Sequence, residues 1–103
     1  MKLLTKSIRR KLPALLEQDN KGDEAIAYVK YFTPWSNLSW FAIEFDGDDT
    51  FFGMVSGDYI EYGSFSLPEL EAISGSGGLK VERDKFFIPM SLGRIKKMLK
   101  SGP

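Results

Sequence analysis

Apolar and polar residues change rhythm several times along this chain, and each rhythm predicts an element. Ile8, Leu12, Leu15 and Leu16 recur at helical spacing and define one apolar stripe, with Lys6, Arg9 and Arg10 on the opposite face. Thr5 suits the N-cap of that helix, because its hydroxyl can accept from an otherwise unpaired backbone N–H. Pro13 cannot donate to the Arg9 carbonyl and its ring crowds that turn, which predicts a kink, or a break into two helical pieces, at about Leu12. A polar loop follows at Asp19-Asn20-Lys21-Gly22-Asp23.

The pattern then shortens to the period of strands. Residues 25–32 are rich in aromatic and β-branched side chains and stop at Thr33-Pro34. Residues 37–45 alternate, with Phe41, Ile43 and Phe45 on one face and Trp40, Ala42 and Glu44 on the other. Asp46-Gly47-Asp48-Asp49 is a turn, Asp-Gly being suited to positive φ, and residues 50–55 return as the second arm of a hairpin. A second turn at Gly57-Asp58 leads into residues 59–65. Ser66-Leu67-Pro68-Glu69 reads as a capping box opening a short helix with Leu67, Leu70 and Ile73 inward.

Ser74-Gly75-Ser76-Gly77-Gly78 has the composition of a flexible connector. Residues 79–88 form an expected last strand, with a slip in alternation near Arg83 that suggests a bulge, and Pro89 ends it. Ser91 then caps a C-terminal helix with Leu92, Ile95, Met98 and Leu99 facing inward. The resulting expectation is an α+β fold. It is a single small domain over 1–103, an antiparallel β-meander of four to five strands flanked by N-terminal, middle and C-terminal short helices.

Composition narrows the chemistry more than the fold. Hydrophobic residues make up 43% of the 103, enough to offset chain entropy with one core. The longest apolar runs are far shorter than a bilayer span, and the first residues lack a signal-peptide pattern, so a cytoplasmic protein is expected. There is no cysteine and no histidine. Ser-His-Asp and Cys-His nucleophilic systems are therefore excluded, and zinc, haem and iron–sulfur sites lose their usual ligands. No P-loop or dinucleotide fingerprint is present. The expectation is a non-enzyme with no catalytic residues, no metal and no cofactor.

Net charge is zero, but the charges are segregated. Lys2, Lys6, Arg9, Arg10 and Lys11 lie at one end, and Arg94, Lys96, Lys97 and Lys100 at the other. All 14 acidic residues fall between them. Such segregation creates local fields that a zero total hides. Three candidate chemistries follow. Glu44, Asp46, Asp48 and Asp49 crowd one turn, and with Trp35 and Trp40 they form a candidate acidic and aromatic surface for a protein partner. Their oxygens suit Ca²⁺ or Mg²⁺, although the spacing is not that of an EF-hand, and a solvated turn is the simpler reading. Lys6, Arg9, Arg10, Arg94, Lys96 and Lys97 are candidate phosphate contacts if the first and last helices pack side by side. A carboxylate-dependent hydrolase drawing on Glu61, Glu69, Glu71, Glu82 and Asp84 is a further alternative that no spacing favours.

Several runs carry a resemblance. Lys2-Leu3-Leu4-Thr5-Lys6 with Leu12-Pro13 is one, and Phe45-Asp46-Gly47-Asp48-Asp49-Thr50-Phe51-Phe52-Gly53 is another. Tyr62-Gly63-Ser64-Phe65-Ser66-Leu67-Pro68-Glu69-Leu70 and Glu82-Arg83-Asp84-Lys85-Phe86-Phe87-Ile88-Pro89 complete the set. In order, from about Met1 to Leu92, they resemble the bacterial domain-of-unknown-function 2958 family. The resemblance implies a small stand-alone protein of plasmids, phages and integrative elements, with no established activity and no catalytic residues to carry over. It implies an accessory, non-enzymatic role exerted by binding a macromolecule. A host protein, such as a defence or transfer component, is the expected partner, and an acidic surface could imitate phosphates in its basic groove. Nucleic acid held by the basic terminal helices is the alternative, and no membrane is expected.

Overall fold

The computed structural model describes residues 1–100. Helix α1 spans Lys6–Lys11, where the Thr5 hydroxyl accepts the Ile8 N–H at 3.2 Å. It stops at Leu12, whose N–H still reaches the Ile8 carbonyl, because Pro13 follows. The second helical piece does not form. Residues 15–20 run as consecutive turns, Leu16 lies in the left-handed region at φ 73°, and Leu15 and Leu16 are exposed rather than part of the apolar stripe.

Strands β1 (Ile26–Ala27) and β2 (Val29–Phe32) replace the single run expected over 25–32, broken at Tyr28. Strands β3 (Ser39–Phe45), β4 (Thr50–Ser56) and β5 (Ile60–Ser66) form the meander that the hairpin signals predict. The expected last strand is reduced to β6 (Glu82–Arg83), and β7 (Met90–Ser91) follows Pro89. Five strands pair in the order β5-β4-β3-β2-β6, every neighbour antiparallel, while β1 pairs separately with β7. Helix α2 (Leu67–Ala72) begins at the Ser66 cap, whose hydroxyl oxygen accepts the Glu69 N–H at 3.2 Å. Helix α3 (Leu92–Lys100) follows β7 directly, and the Ser91 hydroxyl oxygen accepts the Arg94 N–H.

The sheet has a core on each face. One face packs Trp40, Ala42, Phe45, Phe51 and Phe65 against Leu3, Leu4, Leu12 and Leu70, with Ile8 of α1 partly buried beside them. Phe45, Phe51 and Phe65 lie on three adjacent strands with ring centroids 4.8 and 5.4 Å apart. Tyr31 meets Phe51 edge-on at 5.7 Å. Each such pair contributes about 1 kcal/mol beyond burial. The other face packs Phe41, Ile43 and Met54 against Leu92 and Ile95 of α3.

The bulge falls between Ala42 and Glu44, not near Arg83. One extra residue there turns the rest of β3 over, so Phe45 joins Trp40 and Ala42 instead of Phe41 and Ile43. The glycine-rich segment is no free connector. It forms a turn closed by the Ser74↔Lys80 bridge and a Gly75 N–H bond to the Leu79 carbonyl at 2.8 Å.

Candidate functional site

The proposed acidic and aromatic surface is divided by the fold. Trp40 is 6% exposed and belongs to the first core. Glu44 is 3% exposed, and its two oxygens accept the N–H groups of Leu16 at 2.9 Å and Gln18 at 2.7 Å. Neither can touch a partner, so both are corrections to the sequence reading. Trp35 is half-buried over the backbone of Gly75, so close that a Cβ there would meet its ring at 2.4 Å. Only Asp46, Asp48 and Asp49 remain at the hairpin tip.

Asp46 organises that tip. Its Oδ1 accepts the N–H groups of Asp48, Asp49 and Thr50 at 2.8 to 3.0 Å. Hydrogen bonding from Thr50, and then from Asp48, holds its carboxyl below the usual aspartate range. Arg9 closes over the turn, donating to the Gly47 carbonyl with its guanidinium 5.3 Å from the centre of the Phe45 ring. Arg9 is thus committed to the hairpin. Among the described residues no group of three or more carboxylates gathers as metal ligands.

The two basic helices do not meet as one patch. Ile8 and Leu12 anchor α1 to one face of the sheet, and Leu92 and Ile95 anchor α3 to the other. Lys6, Arg9 and Arg10 are therefore separated by the sheet from Arg94, Lys96 and Lys97. Lys96 is itself paired with Asp23 at 2.7 Å and lies over the Tyr62 ring at 5.1 Å. The hydrogen bond it donates to Asp23, with a further one to Tyr62, raises its pKa.

What the sequence reading misses lies between β6 and β7. Asp84 accepts the Phe86 N–H on its side chain at 2.9 Å and the Phe87 N–H on its carbonyl at 3.3 Å. Its own N–H bonds the Lys30 carbonyl, and the Lys30 ammonium stands 3.8 Å from its carboxylate. This turn splits two adjacent aromatics. Phe87 goes inward, 6.0 Å from Phe41, and Phe86 is driven outward to 94% exposure.

Beside Phe86 a groove of about 190 Å³ runs between the turn and α3. Ile88, Met98 and Leu99 line it and are exposed, the last two contrary to the expectation that they face inward. Lys30 also lines it, and the exposed Lys85 adjoins Phe86 in the chain. The one carboxylate lining it is Asp84, which Lys30 neutralises. The available signal was the Asp84-Lys85-Phe86-Phe87 order. An aspartate there can form an Asx turn just before the two adjacent aromatics.

A family model described as "Protein of unknown function (DUF2958)" matches residues 3–95. No curated protein and no solved structure matches the chain. Among the described residues no helix is long and apolar enough to cross a membrane.

Proposed function

The chain belongs to the DUF2958 family, whose description assigns no activity, and from that premise we propose a non-enzymatic protein that works by binding another protein. The observation that carries this reading is Phe86, a large apolar side chain held in solvent by a turn with its own hydrogen bonds. Surface aromatics fixed in advance give contact area at little entropic cost, and such residues dominate binding energy at interfaces. The partner is an amphipathic segment with an apolar face. Its apolar side chains fill the groove beside Ile88, Met98 and Leu99.

The contact surface proposed here is thus mainly apolar, with Asp46, Asp48 and Asp49 kept as a secondary acidic tip. The accessory role in a plasmid, phage or integrative element, against a host defence or transfer component, is proposed on the family resemblance alone. Pull-down from host lysate tests the reading, with and without nuclease, followed by binding of the purified captured protein. Capture should survive nuclease and an Asp48→Lys/Asp49→Lys variant, and be lost with Phe86→Ser. Capture that disappears with nuclease, or that ignores Phe86→Ser, would sink the proposal.

A further inference from the structure

The two edges of the five-stranded sheet are finished differently. β6 is two residues long, and the start of the chain lies across it: Arg83 donates its N–H to the Met1 sulfur and its guanidinium to the Lys2 carbonyl. β5 is seven residues long, and among the described residues no strand adjoins its outer side. Its ladder to β4 runs without a slip from Thr50↔Ser66 to Ser56↔Ile60.

Hydrogen bonds beyond each end of that ladder fix which backbone groups remain free. Leu67 donates to the Asp49 carbonyl, and Gly57 donates to the Tyr59 carbonyl. Hydrogen-bonded pairs alternate along an antiparallel ladder. Glu61, Gly63 and Phe65 therefore bond to β4, while Ile60, Tyr62 and Ser64 aim their N–H and C=O groups outward. Soluble proteins ordinarily blunt such an edge with proline, lysine or a bulge, and β5 has none of these. Its one charged residue is Glu61, and the side chains of Ile60 and Tyr62 are exposed.

We propose that the β5 edge is a self-association surface, on which a second copy of this chain adds its own β5 antiparallel. A two-fold axis through Gly63 overlaps both strands in full. It sets Tyr62 opposite Ser64 of the second copy in a hydrogen-bonding position, with Ile60 opposite Ser66. Glu61 then faces Phe65 of the second copy rather than its own counterpart, so no like charges meet. Glycine at the axis occupies a non-hydrogen-bonded pair, where side chains approach most closely. The contact is isologous and closes at two copies.

Sedimentation velocity over a concentration series, on wild type and on Ile60→Lys/Ser64→Lys, tests this. Wild type should pass from monomer to dimer as concentration rises. The double-lysine variant should stay monomeric with an unchanged melting temperature, and Phe86→Ser should dimerise as wild type does. Amide exchange of the wild type gives a reading free of any variant: Tyr62 and Ser64 should slow as the dimer fills. A wild type monomeric up to millimolar concentration overturns the proposal. So does a dimer that survives the two lysines, that Phe86→Ser abolishes, or that leaves Tyr62 and Ser64 exchange unchanged.

Discussion

Glu44 and Gln18, 26 residues apart and both buried, are joined by a 2.7 Å hydrogen bond from the Gln18 backbone N–H to the Glu44 carboxylate. The Gln18 side chain completes the knot, donating to the carbonyls of Ile26 and Ile43 and accepting the Ile26 N–H. Together they tie the turns after α1 across the end of β3. Removing the carboxylate leaves the N–H groups of Leu16 and Gln18 without an acceptor. Glu44→Ala should therefore cost about 3 kcal/mol, read as a lower denaturation midpoint with a similar m-value.

Leu16 supplies one of those N–H groups while held at φ 73° and largely exposed. A left-handed backbone costs a leucine about 1 kcal/mol that glycine does not bear. Leu16→Gly should raise stability by roughly that amount, provided the Glu44 bond persists. A thermal melt that moves downward would contradict this account.

Asp46 gives the fold a pH dependence of known sign. Its folded pKa lies below the ordinary 3.8, so its stabilising contribution is present at neutral pH, where the group is ionised in both states. The contribution is lost as pH falls below about 3.8 and through the depressed value. The Asp48, Asp49 and Thr50 amide resonances should titrate together in that acid window, and Asp46→Asn should remove the transition.

Gly75 and Trp35 should behave as one unit. A Cβ at residue 75 would meet the indole at 2.4 Å, so Gly75→Ala should destabilise by about 1–3 kcal/mol. In the Trp35→Ala background the same change should cost far less. Additive losses in this double-mutant cycle would refute the contact.

Asp84 positions Phe86 through its own hydrogen bond while lining the groove beside it. Asp84→Ala should weaken partner binding about tenfold, or roughly 1.4 kcal/mol, by freeing the turn. Phe86→Ser should abolish binding with stability altered by less than about 0.5 kcal/mol. Titration calorimetry beside thermal melts separates the two effects.

These residues mark where the sequence was legible. The β3–β4 hairpin could be read because alternation and Asp-Gly turn chemistry are local and agree. The bulge could not, because Glu44 is buried only by donors near Leu16 and Gln18, and nothing in the residues around position 44 encodes them. Trp40 was misjudged for the same reason: the polarity of Glu44 was assigned to a shared face that the bulge abolishes. Pro13 told truly where α1 ends, but not that Leu15 and Leu16 would then lose their helical face. Phe86 was hidden by its own hydrophobicity, since the hydrogen bonds that expose it belong to Asp84.

The sheet order also bears on how quickly the chain finds its structure. β2, β3, β4 and β5 are neighbours in sequence as well as in space, so the loops that must close to pair them are short. The Arg83 contacts with Met1 and Lys2 join residues 82 and 81 positions apart, and they need most of the chain in place. Folding should be nucleated in the meander. Truncations within Phe51 and Met54 should slow refolding, whereas Arg83→Ala should act mainly by speeding unfolding.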